Sequence, residues 1–408
     1  MMKNNNIKII QTKKYKDISL YLRFSFENKP QYKECLALLG KMLGDISNKY
    51  ETKDKMSKIR DMLYGIELET NYKCRGNITS FSIHYSFINP KFVDVTIDDY
   101  VDYINETLFN TIINNKTLKE AKMEVVSAIE RALEKPNTYA TQRFIEEVAK
   151  DNKSYSVNMT GKKFIASVKK VKLEDVLKVY KFILNKAQLN IYLCGDLDNK
   201  TIKSLTNFNF EGRKPINFKP CKLKTPSRKD IVENKDMGQS VLYSIYSFPY
   251  NKSSKEFFAW FTGNVFLGSL PTSLLFEEVR EKLSLCYTIG VTDFKNDGLI
   301  RIATFIDAKN KDLVLSQIEL QIKRIINKDY DFDKFEISKT LLINSLMSTY
   351  DDLDALVDYY YESLLANFNY SLESFCAKIQ KVTPDDIANT FMHAKHYFNY
   401  FLKGNKHD

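Results

Sequence analysis

The stretch LGSLPTSLLFEEVREKLSLCYTIG, residues 267–290, sets the reading of the whole chain. It opens on a Gly-Ser-Leu-Pro turn. Leu275, Val279 and Leu283 then recur at four-residue spacing, which predicts an amphipathic helix. Pro271, Thr272 and Ser273 supply helix-start chemistry, and Glu277 and Glu278 suit the positive end of the helix dipole. From Ser284 the period changes. Leu285, Tyr287 and Ile289 alternate with Cys286 and Thr288, which predicts a strand. Arg280 and Tyr287 therefore fall at a helix-to-strand junction, where side chains can reach a cleft. Taken singly, each has a plainer reading: a surface Arg and a half-buried core Tyr.

Working outward, the second half reads as strand 243–248, helix 255–265, the quoted stretch, strand 299–306, and a helix with Val314, Ile318, Ile322 and Ile325 on one face. Helices through 333–349 and 353–366 follow, then one around 385–393, and a final strand ending at Gly404. The first half runs in the same order. Strands 19–26 and 79–87 flank helices at 34–43 and 55–63. Helical patterns cover 97–112, 118–133, 142–150 (after an interruption at Pro136) and 173–184, and a strand closes at Gly195. Ala166-Ser-Val-Lys-Lys-Val171 and Ala377-Lys-Ile-Gln-Lys-Val382 share a register, and KIRDMLYG at 58–65 weakly echoes EVREKLSLCY at 278–287. A repeat this long means two similar domains rather than a solenoid. The expectation is an α+β fold, with each domain a mostly antiparallel sheet bearing helices on one face. The boundaries read as 1–206 and 236–408. A Pro- and Lys-rich linker without apolar period covers 207–235.

Across 408 residues, 44% hydrophobic and 27% charged composition suits a globular chain with room for two cores. The net charge of +10 comes from Lys and Arg scattered along the chain, with no dense basic tract, which argues against a nucleic-acid partner. Only 13 Gly, with no phosphate-binding loop, argue against a nucleotide site. Cys35, Cys74, Cys194, Cys221, Cys286 and Cys376 fit neither a C-x-x-C pair nor a zinc spacing. They read as free thiols of a reducing compartment. The opening MMKNNNIKIIQTKKY has no signal-like apolar core, and no stretch reaches the roughly 18 apolar residues of a membrane span. The expected location is cytoplasmic.

S-x-L-F-E-E-V-R-E-K-L-S-L-C-Y resembles the second-domain motif of the pitrilysin/insulinase family of zinc peptidases, which includes the mitochondrial processing peptidases. The resemblance covers nearly the whole chain and implies two related domains facing each other like a clam shell. It places substrate contacts and stabilisation of the polarised carbonyl on Arg280 and Tyr287, and it implies that Gly268 and Ser269 help shape the substrate cleft.

Active members of that family carry H-x-x-E-H on the helix after the first strand. Two His four residues apart share a helix face and ligate zinc, and the Glu removes a proton from the metal-bound water. Here the matching window, Ala37 to Lys41, holds neither His nor carboxylate. Glu34 and Cys35 are adjacent and do not share a face. Glu120, Glu124 and Glu130 lie where a distal ligand is expected, but a solvated helix face accounts for them equally well. His84 sits alone on a strand. His393 and His396, in MHAKH, are expected on one face of the last helix, and His407 lies in the tail. The chain itself is expected to hold no metal. The resemblance implies a non-catalytic subunit that lends Arg280 and Tyr287 to a homologous H-x-x-E-H-bearing partner, which would carry the zinc and process peptides. Two alternatives stay open: a structural or peptide-binding scaffold, and a self-sufficient peptidase with an irregular metal site.

Overall fold

The structure is a computed structural model, in which residues 6–152, 161–207, 216–219, 223–224, 230–249, 254–366, 368 and 370–405 are described. Their contacts divide the chain into two units. One comprises the described residues of Met1–Lys135 and Ser156–Lys219, the other those of Pro136–Tyr155 and Pro220–Asp408.

The first unit contains β1 (Asn6–Gln11), β2 (Asp17–Glu27), α1 (Lys33–Met42), α2 (Lys53–Met62), β3 (Glu67–Arg75), β4 (Ile78–Ile88), α3 (Ile97–Phe109) and α4 (Asn115–Glu134). After α5 (Pro136–Asp151), which joins the second unit, come α6 (Lys162–Lys170), α7 (Leu173–Lys186), β5 (Gln188–Gly195) and α8 (Asn199–Thr206). The sheet order is β1-β5-β2-β4-β3, antiparallel except for the β1–β5 pair. The period-two apolar sets of β2 and β4 (Leu20, Leu22, Phe24 and Phe26; Phe81, Ile83, Tyr85 and Phe87) all enter one core with the helices. β3 gave no sequence signal because it is an edge strand whose inward residues are only half-buried.

The second unit runs β6 (Asp230–Lys235), β7 (Ser240–Ser247), α9 (Lys255–Gly268), a π-helix (Phe276–Lys282), β8 (Cys286–Phe294), β9 (Leu299–Ile306), α10 (Lys311–Asn327), α11 (Phe332–Met347), α12 (Leu353–Leu365), α13 (Leu372–Gln380), α14 (Pro384–Phe391) and β10 (Lys395–Gly404). Its sheet order, β6-β10-β7-β9-β8, repeats that of the first sheet strand for strand, including one parallel pair at the same edge. Val168 and Ile379, equivalent in the sequence repeat, are both fully buried. The α+β expectation therefore describes both units. The stretch read as linker, 207–235, ends in β6, whose exposed alternate residues carry no apolar period.

A further departure is α5. Pro136 is its first residue rather than a breaker, since proline's missing N–H costs nothing in a first turn. The helix lies on the face of the second sheet opposite the helical layer. Tyr243 projects to that face while its neighbour Leu242 enters the core. The Tyr243 hydroxyl donates to Asn137 Oδ1 at 2.5 Å and lies 3.0 Å from Thr141 Oγ1. Arg143 Nη2 and Nε reach Glu233 Oε1 at 2.6 and 2.8 Å, and the hydroxyls of Tyr139 and Tyr400 donate to Oε2.

Burial would raise the Glu233 carboxyl pKa, but the bonds from Arg143, Tyr400 and Tyr139 outweigh it and hold the group below its ordinary value. A depressed carboxylate stabilises the fold above its unfolded pKa, and that contribution disappears as pH falls through the folded one. Glu233→Gln should cost roughly 1–3 kcal/mol near neutrality, less than a fully buried pair, because Arg143 and Glu233 each keep 23% exposure. The gap to wild type should close as pH falls below the carboxylate range. Urea unfolding read by the fluorescence of Trp260, the sole Trp, measures it, and a pH-independent gap contradicts the assignment.

Candidate functional site

The helix-to-strand junction is built on a close approach. A Cβ on Gly268, the last residue of α9, would lie 2.6 Å from Val291 Cγ2 and 3.1 Å from Leu275 Cδ1, so only glycine lets α9 and β8 meet there. Ser269 ties the turn to the strand by donating from Oγ to the Val291 carbonyl at 3.3 Å.

Residues 276–282 then wind as a π-helix, not the α-helix predicted. Leu283 N donates to Glu278 O, five residues back, at 3.0 Å. The sequence echo in α2 shows the contrast. There Leu63 N donates to Ile59 O, four residues back, and Leu63 is 4% exposed; Leu283 is 43% exposed. Leu275 and Val279 are fully buried as the stripe requires, but the wider winding turns its third member out of the core. Tyr64 and Ser284 both leave their helices in the left-handed region, with φ of 55° and 49°.

The acidic residues of the motif clamp this segment rather than serve its dipole alone. Glu277 pairs with Lys334 of α11 at 2.6 Å. Glu278 meets Lys282 at 2.5 Å and Arg324 of α10 at 3.3 Å. The Lys282 bond is the main cause of the lowered Glu278 pKa. With Val279 locked inward, Arg280 projects outward. Its Cζ lies 4.4 Å over the Phe276 ring, Nη1 is 3.2 Å from Glu281 Oε1, and the side chain keeps 36% exposure.

Tyr287 is 76% exposed and lies where the β8–β9 register slips. Cys286 pairs with Ile306 and Thr288 with Phe305, so Tyr287 is the extra residue of a β-bulge. A bulge re-aims a side chain that simple alternation would have placed against the sheet. Cys286, half-buried between them, has its thiol pKa raised by burial, opposed by Thr304 and by the Arg280 charge. The guanidinium therefore acts electrostatically on the residue next to Tyr287. Phe276, Glu281, Arg324 and Lys334 gave no sequence signal, because their partners are set by winding and by helices far along the chain.

The zinc half of such a site finds no fit. Across the window from Ala37 to Lys41, Leu38 and Leu39 are buried in the core, and Gly40 is pressed against β3. A Cβ there would lie 2.6 Å from Thr70 Oγ1, which donates to the Gly40 carbonyl at 2.9 Å. Cys35 is buried, with its thiol pushed up to about 12 chiefly by burial, while Glu34 stays partly exposed. His84 stacks on Tyr21 with ring centroids 4.0 Å apart. Glu120 pairs with Lys53 at 2.9 Å, and Glu124 and Glu130 are exposed.

His393 and His396 do not share a helix. α14 ends at Phe391, the chain turns, and His396 lies in β10 with Nε2 2.9 Å from Asn399 Oδ1. The sequence pattern misled because the apolar period of α14 stops two residues before His393. His407 and Cys221 lie outside the described residues, and the other five Cys are free thiols. Among the described residues, no group of three or more His, Cys, Asp or Glu is placed to hold a metal, and no helix is long and apolar enough to cross a membrane.

A family model described as the peptidase M16 inactive domain matches residues 170–342, which include the π-helix and the bulge. The chain is similar to the "Probable inactive metalloprotease YmfF" of Bacillus subtilis, with 24% identity over 97% of this chain and 95% of that one. It superposes on a conserved protein from Enterococcus faecalis with a TM-score of 0.87 and 22% identity, covering 100% of this chain and 99% of the other. A peptidase M16 inactive domain from Pseudomonas fluorescens superposes with a TM-score of 0.77 at 14% identity, covering 98% and 96% of the two chains. These two likenesses establish the fold. By the domain match and the full-length relative, the chain is a homologue of the inactive metalloproteases of the M16, or pitrilysin, family.

Proposed function

We propose that this chain is the non-catalytic subunit of a heterodimeric zinc peptidase, lending Arg280 and Tyr287 to the active site of a homologous partner that bears H-x-x-E-H. One observation carries the reading. Where Leu275 and Val279 sink into the core, Arg280 and Tyr287 are turned outward by two separate irregularities, the π-helix and the bulge. The zinc held by the partner would supply the activated water. On this chain, the Tyr287 phenol would donate a hydrogen bond to the oxyanion that develops on the scissile carbonyl. The Arg280 fork would hold a peptide carbonyl or carboxylate. Gly268 and Ser269 would fix the turn that walls the peptide's path. The peptide, the cytoplasmic location and the two-domain division at 207–235 belong to the same reading.

A second reading, a peptide-binding scaffold without a share in catalysis, draws on the Glu281 and Phe276 contacts, which already engage the Arg280 guanidinium.

Reconstitution with the H-x-x-E-H partner separates the two readings. Arg280→Ala and Tyr287→Phe should each lower kcat/KM by about 10²–10³ without dissociating the pair in sedimentation. Unchanged turnover in both variants leaves the scaffold reading. The clamp gives an independent check. Glu278→Arg should swing the π-helix away from α10 and lower kcat/KM by about tenfold or more, whereas Glu278→Arg with Arg324→Glu should recover most of it. Failure of the charge exchange to restore turnover would mean that the clamp does not aim Arg280.

A further inference from the structure

Arg301 lies on β9 between Ile300 and Ile302, which enter the core of the second unit, so its side chain takes the opposite face beneath α5. It is 9% exposed. Its Cζ lies 4.5 Å from the centre of the Tyr243 ring, with the Phe294 and Phe144 rings at 5.6 and 5.9 Å. Nη1 donates to Thr141 Oγ1 at 2.8 Å and Nη2 to Thr292 Oγ1 at 3.3 Å, while Nε is buried and donates to no atom among the described residues.

Neutral hydroxyls thus engage two of the guanidinium's five N–H bonds. No carboxylate among the described residues pairs with it. Glu146 and Glu147 of α5 and Glu233 beside it are committed to Arg143 and Lys150. Aromatic faces attract a cation but bring no counter-charge. A buried guanidinium without an anion is costly, and burial lowers its pKa from the ordinary value.

We propose that Arg301 anchors a carboxylate-binding site on the α5-covered face of the second sheet, flanked by the Thr141 and Thr292 hydroxyls and walled by Tyr243, Phe144 and Phe294. A single cation calls for a single negative charge. A carboxylate matches that charge and presents two oxygens to the Nε–Nη2 edge, whereas a phosphate dianion would exceed it. The aromatic walls suit the apolar part of an organic acid. Thr292 is exposed on the edge strand β8, so the Nη2 end of the cation leads to solvent. The site stands apart from the peptidase reading, because none of its residues belongs to the Arg280–Tyr287 junction.

Calorimetric titration of the intact chain tests it with benzoate, benzamide, and one neutral hexapeptide ending in either a carboxylate or an amide. Benzoate should bind and benzamide should not. Arg301→Gln, with unchanged Trp260 fluorescence as the folding control, should weaken benzoate by about tenfold or more. Binding of the peptide acid but not the amide identifies the ligand as a polypeptide end. Silence of both peptides beside benzoate binding identifies it as a free acid. Absent benzoate binding, equal binding of benzamide, or full affinity in Arg301→Gln overturns the proposal. Should Arg301→Gln fail to fold, Thr292→Val carries the test at an exposed position: severalfold weaker benzoate supports the site, and unchanged affinity overturns it.

Discussion

The junction between α9 and β8 depends on how residues 276–282 wind. A π-turn closes each hydrogen bond over one residue more than an α-turn and is rare outside single turns, so contacts from outside the helix must favour it here. Two apolar anchors, Leu275 and Val279, bury on one side. Two ion pairs, Glu277–Lys334 and Glu278–Arg324, fasten the other side to α11 and α10. Neither pair is buried enough to contribute much stability by itself. Acting on the same segment from different helices, they limit its rotation, and rotation is what decides where Arg280 points.

The equivalent segment of the first unit makes the contrast concrete. α2 keeps four-residue hydrogen bonding at its end, and Leu63 stays in the core. The second unit gains a residue in the winding and another at the bulge. Its strand consequently starts with Cys286 half-buried and Tyr287 projecting. The first unit differs in the opposite sense at α1. Gly40 is pressed against Thr70, whose hydroxyl donates to the Gly40 carbonyl, so the position matching the family's Glu has no room for a side chain. One unit is thus tightly packed beside α1, and the other is locally irregular beside β8.

What the sequence made legible follows from this. Strands with a deep inner face, β2, β4, β7 and β9, announce themselves by alternation because burial is what the pattern records. β1, β3 and β6 are edge strands with weak inner faces, and they left little trace. The repeat was readable because Val168 and Ile379 answer the same packing demand. The shared motif singled out Arg280 and Tyr287, but it carried no sign of the irregularities that turn them outward. Leu275 and Val279 satisfy α and π winding equally well, and a bulge of one residue leaves the surrounding alternation nearly intact. His396 was drawn into a helix because MHAKH carries no breaker; the turn after Phe391 depends on a strand that β7 pulls into register.

α5 bears on how such a chain can differ from a simple pair of domains. It is encoded in the first half, yet its hydrogen bonds run to Glu233, Tyr243 and Arg301 of the second unit. Covering the second sheet in this way buries polar groups that the sheet alone would leave in water, and each must then find a partner. Glu233 finds three, from Arg143, Tyr139 and Tyr400. Arg301, under the same helix, finds hydroxyls and rings instead of a charge. If α5 served only to shield the sheet, an apolar residue in place of Arg301 would avoid that desolvation, since replacing a buried charge by a packed apolar group is often neutral or stabilising. The guanidinium, held between Tyr243 and two threonines, is therefore better explained by what it can bind than by what it contributes to the fold.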